Sequence, residues 1–277
     1  LFLLVSGIPL ADGLLCWWLF EEMIIIWNAM SYLTAIKEYR ELMLSFLAAV
    51  AGSFGLGFLL LMFGVPAAEG LMLAVIFGYG LMLVWDVYLL HSVFPMERKP
   101  VFLFLKWLDH FLPLAMAGFF MNLGLFAHLV LMWYGPAGIR IRGLFYGAPA
   151  YDIPALLAFV TILVTTINFV VSAEVNFYPH YRTYYSLFND GGSILDIQQA
   201  EHKMLRVLRT ELSYLAMRQL FVSAVCIALG TAVLERLPLG MTDLMEGYFR
   251  ILCVGYGMYA VGNSAFLMLL YFADYGG

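Results

Sequence analysis

Seven runs of mainly apolar residues constrain this chain more than any other feature, because about 20 such residues in a helix cross a hydrocarbon core about 30 Å thick. They cover approximately residues 14–36, 42–63, 71–94, 111–134, 153–171, 212–234 and 244–272. Composition agrees. Of the 277 residues, 64% are hydrophobic and 12% charged, with mean hydropathy +0.90, against about 45–50% and about 25% in a soluble domain. A soluble fold of this size cannot hide that much apolar surface. The chain therefore reads as an all-α, polytopic transmembrane helical bundle with about seven visible spans. Residues 1–9 read as the tail of an earlier helix. The chain has neither an initiator Met nor a basic stretch at its start, and LMLLYFADYGG ends it just past an apolar run, so a piece of a longer protein is expected.

Basic residues gather on the cytoplasmic side of successive spans. Here alternate connections separate them. One side collects Lys37, Arg40, Arg98, Lys99, Lys106, Arg182, Lys203, Arg206, Arg209 and Arg218, and the other Arg140, Arg142, Arg236 and Arg250. This places the connection 174–218 in the cytoplasm. Within it, Ser193 and Asp196 follow Gly191 and Gly192 as an S-x-x-D capping signature, so a helix is expected from Ser193. Ile197, Ala200, Met204, Leu208, Leu212 and Leu215 then recur at helical spacing, with Lys203, Arg206 and Arg209 on another face. The expected result is an amphipathic segment lying on the membrane surface before entering it, its charges facing lipid head groups or a cytoplasmic partner.

Several function classes are excluded or unsupported. With 14 basic against 19 acidic residues, net charge -5, no surface is dense enough in cations to hold nucleic acid. Cys16, Cys226 and Cys253 sit in apolar runs without CxxC spacing, so neither a metal nor a disulfide framework is inferred. No GxSxG, HExxH, phosphate-loop or DxD-type signature stands in a loop, and the loops are too small for a catalytic domain. No enzymatic activity and no cofactor are expected.

Charged groups inside spans are the informative anomaly, since an Asp or Lys near a helix centre costs about 2.5–3.5 kcal/mol on the insertion scale. Glu21 and Glu22 interrupt the first span and Asp86 the third, with His91 beyond it. Asp109, His110 and His128 stand around the fourth. Intramembrane ionisable groups mark substrate or proton routes, so Glu22 and Asp86 are the candidate pathway residues, expected to face a hydrated cavity. Asp109 and His110 read as interfacial, and His128 as a satisfied packing residue. Pairs of small residues at helical spacing, Ala51 with Gly55, Ala74 with Gly78 and Ala260 with Ser264, suit close helix packing. The aromatic run 177–185, FYPHYRTYY, reads as an interfacial belt, with stacking on sugar rings as the second reading.

The segment 143–185, GLFYGAPAYDIPALLAFVTILVTTINFVVSAEVNFYPHYRTYY, resembles the middle of the PelG family, the inner-membrane component of the Pel exopolysaccharide system. Its AP-x-YD-x-P turn precedes a span ending in an acidic residue and FY, and Ala148, Pro149, Tyr151, Asp152, Pro154, Glu174, Phe177 and Tyr178 match. MSYLTAIKEYRELMLSF is similar to that family's SALKDYR turn, and GNSAFLMLLYFADY to its GN, span and YFDD. One departure is the NLGLFAH stretch, where Ala127 and His128 stand in place of the family's Asp and Lys. The resemblance implies about twelve spans related to the multidrug/oligosaccharidyl-lipid/polysaccharide flippases, with two bundles around a central cavity. Residues 1–142 would be the latter part of the first bundle and 143–277 part of the second. It implies transport of the Pel polymer or a precursor from cytoplasm to periplasm across the bacterial inner membrane, with the Pel glycosyltransferase, PelD and PelE as partners. Acidic intramembrane groups suit a polymer of partly deacetylated, partly cationic amino sugars. The alternatives are a lipid-linked oligosaccharide flippase and a non-transporting scaffold that docks the glycosyltransferase. Within the motif, Pro149 and Pro154 restrict the backbone and Asp152 is placed to cap the fifth span.

Overall fold

A computed structural model of the chain describes residues 3, 6–94, 108–234, 236 and 240–272, without the side chains of 108–110, 231, 233 and 234. Arg98, Lys99, Lys106, the side chains of Asp109 and His110, most of residues 1–5 and the end of the YFADY motif lie outside the described residues. The helices are α1 (Leu10–Ala35), α2 (Tyr39–Met62), α3 (Ala67–Val93) and α4 (Leu108–Tyr134). After a hairpin of β1 (Ile139–Arg142) and β2 (Phe145–Gly147) come α5 (Pro149–Val160), α6 (Leu163–Val171), a π-helical turn Ser172–Phe177, α7 (Tyr178–Asn189), α8 (Ile194–Leu234) and α9 (Asp243–Tyr271).

Among the described residues, six helical segments are long and apolar enough to cross a membrane: Tyr39–Met62, Ala67–Val93, Phe111–Tyr134, Pro149–Asn189, Ile194–Gly230 and Asp243–Tyr271. The seventh expected span is the 26-residue α1, which carries Asp12, Glu21 and Glu22. Large apolar side chains point outward along these helices, as with Phe54 at 75% and Val84 at 71% exposure. A helix that is apolar all round needs lipid or protein on every side. Start signals agree with the local chemistry. Pro149 opens α5 at its first turn, where its missing N–H costs nothing. Thr242 caps α9 by accepting from Met245 N–H at 3.4 Å. Ser193 Oγ accepts from Asp196 N–H at 3.2 Å and donates to its carboxylate at 2.7 Å, so α8 starts one residue after the expected cap.

Two compact units divide the chain: residues 1–102 with 140–145, and residues 103–139 with 146–277. In the first, α2 and α3 meet along small residues. A Cβ at Gly57 would stand 3.3 Å from the Ala74 methyl, and one at Gly78 would collide with Ser53 Oγ and the Ala49 carbonyl oxygen. Gly55 has open space instead. The hairpin turn is held to this unit by the Leu144 N–H, which donates to the Ser6 carbonyl at 2.9 Å. Gly143 is at φ +55°, and any Cβ there would strike that same carbonyl, so glycine is required.

In the second unit α5 lies on α9. Ala148, Tyr151, Ala155, Ala158 and Ile162 are buried against Phe249, Leu252, Cys253, Tyr256 and Ala260. A second cluster joins Phe169, Ala173 and Phe177 to Met204 and Leu215 of α8 and Met268 of α9. The aromatic run belongs to this cluster. Phe177 is wholly buried, its ring 5.9 Å from Tyr181 and 5.7 Å from Tyr271, and Tyr181 donates to the Tyr271 carbonyl at 2.9 Å. It is therefore a packing knot that also satisfies a helix C-terminus, more than a belt facing lipid.

The helix expected from Ser193 continues for 41 residues as α8 into the apolar run from Leu212, with no Pro and no Gly before Gly230 to kink it. At 1.5 Å per residue it spans about 62 Å, twice a hydrocarbon core. Its charged first half packs alongside α7.

The contrast between Gly78 and Gly55 yields a test. Gly78→Leu should sharply reduce folded protein in membranes, since the colliding partner includes backbone that cannot move aside, whereas Gly55→Leu should leave abundance near wild type. Detergent-extracted, monodisperse yield measures both, and equal loss would refute the α2 and α3 contact.

Candidate functional site

In the first unit only one member of the adjacent acidic pair turns inward. Glu21 is exposed, while Glu22 is 6% exposed and Asp86 is 0%. Glu22 Oε1 accepts from Trp18 Nε1–H at 2.7 Å, one turn back on α1, and Oε2 has no hydrogen-bond partner among the described residues. Neither oxygen of Asp86 has one. The Ser45 hydroxyl beside it, also fully buried, donates to the Leu42 carbonyl at 3.0 Å. Gly80 of α3 lies against the first carboxylate, where a Cβ would stand in ordinary contact, 3.5 Å from Glu22 Oε1. Asp86 thus stands on α3 and Glu22 against it, with Gly80 and Asp86 six positions apart, about 9 Å along the axis. An unpaired buried carboxylate is costly in either protonation state, and more so when ionised.

The AP-x-YD-x-P segment organises the start of α5. Asp152 Oδ2 accepts the Ala148 N–H at 2.9 Å, and Asp152 Oδ1 accepts from Trp133 Nε1–H of α4 at 2.9 Å. One carboxylate therefore satisfies an orphan N–H at the helix start and ties α4 to α5. Tyr151 and Pro154 are buried in the α5 and α9 core. Tyr151 Oη pairs with His128 Nδ1 at 3.0 Å, and Tyr256 Oη with His128 Nε2 at 3.2 Å. In a neutral imidazole one nitrogen donates and the other accepts, so one tyrosine hydroxyl donates a hydrogen bond to the ring and the other accepts one from it. His128 is thus satisfied on both sides. Further along, Glu174 and Tyr178 are half-buried and Phe177 fully buried.

Two further polar groups join α6 and the π turn to α8, and neither was singled out from sequence. The first is closed: Thr165 Oγ1 donates to Gln219 Oε1, Gln219 Nε2 donates to Ser223 Oγ at 3.0 Å, and Ser223 Oγ donates to the Cys253 carbonyl at 3.2 Å. The second is open: Glu211 accepts from Ser172 Oγ at 2.6 Å and Asn176 Nδ2 at 3.0 Å, and Arg218 donates to Asn168 Oδ1 at 3.3 Å, beside a cleft of about 320 Å³. The four-residue spacing of Asn168, Ser172 and Asn176 was visible, but their partners lie 35 to 50 positions away. Among the described residues no group of three or more His, Cys, Asp and Glu side chains could hold a metal ion.

Apolar spanning helices, polar groups buried between them and a helix pair that overruns the bilayer thickness define a multi-pass helical membrane protein. The profile of one family, described as "PelG: Putative exopolysaccharide Exporter (EPS-E)", matches residues 1–277, and the chain belongs to that family. No curated protein and no solved structure matches it. Its family gives it a role in polysaccharide transport.

The Asp152 geometry predicts a graded stability series. Asp152→Ala strands two donors, at roughly 1–3 kcal/mol each, and should lower the thermal midpoint of the detergent-solubilised protein. Asp152→Asn keeps one acceptor oxygen and should fall between. Equal midpoints for all three proteins would show that the carboxylate anchors nothing.

Proposed function

We propose that the protein is a non-enzymatic inner-membrane transporter that moves an exopolysaccharide, or a precursor of it, from the cytoplasm to the periplasm. Family membership supports the substrate class. The observation that carries the reading is the Asp86 carboxylate, wholly enclosed, with the Ser45 hydroxyl beside it and no hydrogen bond of ordinary length to either oxygen among the described residues. A bundle built only for support would be more stable with Asn or Leu there, because a buried carboxylate without partners is retained at a cost. Glu22 and Asp86 are the acidic groups of the proposed pathway, occluded in this conformation and reached by water and substrate when α1 and α3 part. A carboxylate so exposed attracts the ammonium groups of a partly deacetylated amino-sugar chain. The Pel glycosyltransferase, PelD and PelE are the partners this reading requires, since a polymer must be handed to the transporter as it is made.

A scaffold that only docks a glycosyltransferase would not need either acid. Asp86→Asn and Glu22→Gln should therefore leave membrane abundance at or above wild type while lowering secreted polysaccharide per folded protein several-fold. Normal secretion by both variants would remove the acidic pathway. Lost abundance with normal secretion per molecule would instead mark the pair as structural.

A further inference from the structure

Between α6 with its π turn and α8, two polar groups stand on the same helix pair and differ in one respect. Thr165 and Gln219 are 1% exposed and Ser223 is 6%, so the polar atoms of that group are spent on one another, and the cavity of about 540 Å³ beside Gln219 and Ser223 is walled mainly by apolar side chains such as Leu220, Ile227 and Val254. Beginning within one turn of it, Asn168, Ser172 and Glu211 are half-buried, Asn176, Tyr214 and Arg218 are exposed, and the cleft of about 320 Å³ between them stays open. Helix glue closes over itself; this group does not. Its volume falls at the lower end of the range of small-ligand pockets, about 300–1,000 Å³.

The side chains are held ready. Glu211 takes one hydrogen bond on each oxygen, from Ser172 and Asn176, and a carboxylate has about four acceptor positions, so each oxygen can accept another. Arg218 gives one N–H to Asn168 from a fork of five. Asn168 is itself fixed by donating to the Val164 carbonyl at 2.8 Å. The π turn contributes to this alignment. In a regular α-helix Asn176 would sit roughly 80° out of line with Asn168, and the wider turn of Ser172–Phe177 takes back part of that rotation, bringing both Ser172 and Asn176 onto Glu211.

Acceptors and donors a few ångströms apart match the vicinal hydroxyls of a pyranose, each both donor and acceptor. Tyr214, 60% exposed on the rim, offers a flat apolar face for the C–H side of a sugar ring. Glu211 and Arg218 nearly cancel in charge. A phosphate would meet the carboxylate unfavourably, which argues against a phospholipid head group, whereas an amino sugar gains from it. The cleft also stands where α8 turns from charged to apolar, between Arg206 with Arg209 and the run from Leu212.

We propose that this cleft is a saccharide-binding subsite for a hexosamine unit, with Glu211, Arg218, Asn168, Ser172 and Asn176 as its hydrogen-bonding groups and Tyr214 as its platform. The inference rests on the transport reading above and adds where a sugar unit is first held. Full-length protein in lipid nanodiscs is titrated with a partly N-acetylated hexosamine tetrasaccharide, and separately with glycerol phosphate. Wild type should bind the tetrasaccharide saturably. Glu211→Gln, which keeps an acceptor for Ser172 and Asn176, and Arg218→Gln should each weaken it at least tenfold; Tyr214→Phe should bind as wild type and Tyr214→Ala more weakly. Arg182→Gln, outside the cleft, should change nothing. A diazirine-bearing amino-sugar probe on wild type should label the peptides around 168–176 and 211–218, independent of how any variant folds. Unchanged affinity in the variants, labelling elsewhere, or loss of glycerol phosphate binding alone would overturn the subsite. So would absence of tetrasaccharide binding in a protein that still exports, which leaves transport standing; a wild type that binds but exports nothing sinks the transport reading and spares the cleft.

Discussion

Inside hydrocarbon no water pairs with an exposed peptide group, so each segment must satisfy its own backbone, and the rest of this structure follows from that constraint. It makes every apolar run a helix and confines the short hairpin to a connection between helices. It also gives each polar side chain within the helices only two stable fates: a partner inside the protein, or a function worth the cost of having none.

Most polar groups here have partners. The Thr165, Gln219 and Ser223 ladder, the Tyr151, His128 and Tyr256 chain and the two bonds to Asp152 all join helices that lipid alone would not hold together. Close backbone approach does the same at Gly78 in the first unit. Among the described residues, Asp86, half of Glu22, the Ser6 hydroxyl and the open cleft at Glu211 are not accounted for by these bonds. The proposed transport role is built on the two acids, and the saccharide subsite on the cleft.

The sequence made the helices legible because span length is a local property, and the Ser193 cap and the acceptor role of Asp152 because each acts within a few residues. The acidic pathway candidates were legible as anomalies, yet their environment was not: periodicity cannot tell that Glu22 turns inward while Glu21 turns out. Gly55 and Gly78 look alike in sequence, and only packing separates open space from a collision. The run of α8 from its charged half into its apolar half was legible too, because Ile197 to Leu215 keep one helical spacing across the boundary. The cleft needed two stretches about 40 residues apart and a π turn that leaves no compositional trace.

Direct flux is the sharpest test of the central claim. Full-length protein with its glycosyltransferase partner is reconstituted in inverted liposomes, supplied outside with sugar nucleotide, and the polymer protected inside from an added glycosidase is measured. The account predicts protected polymer with wild type and several-fold less with Asp86→Asn at equal protein. Polymer made outside but never protected would contradict transport and leave a scaffold in its place.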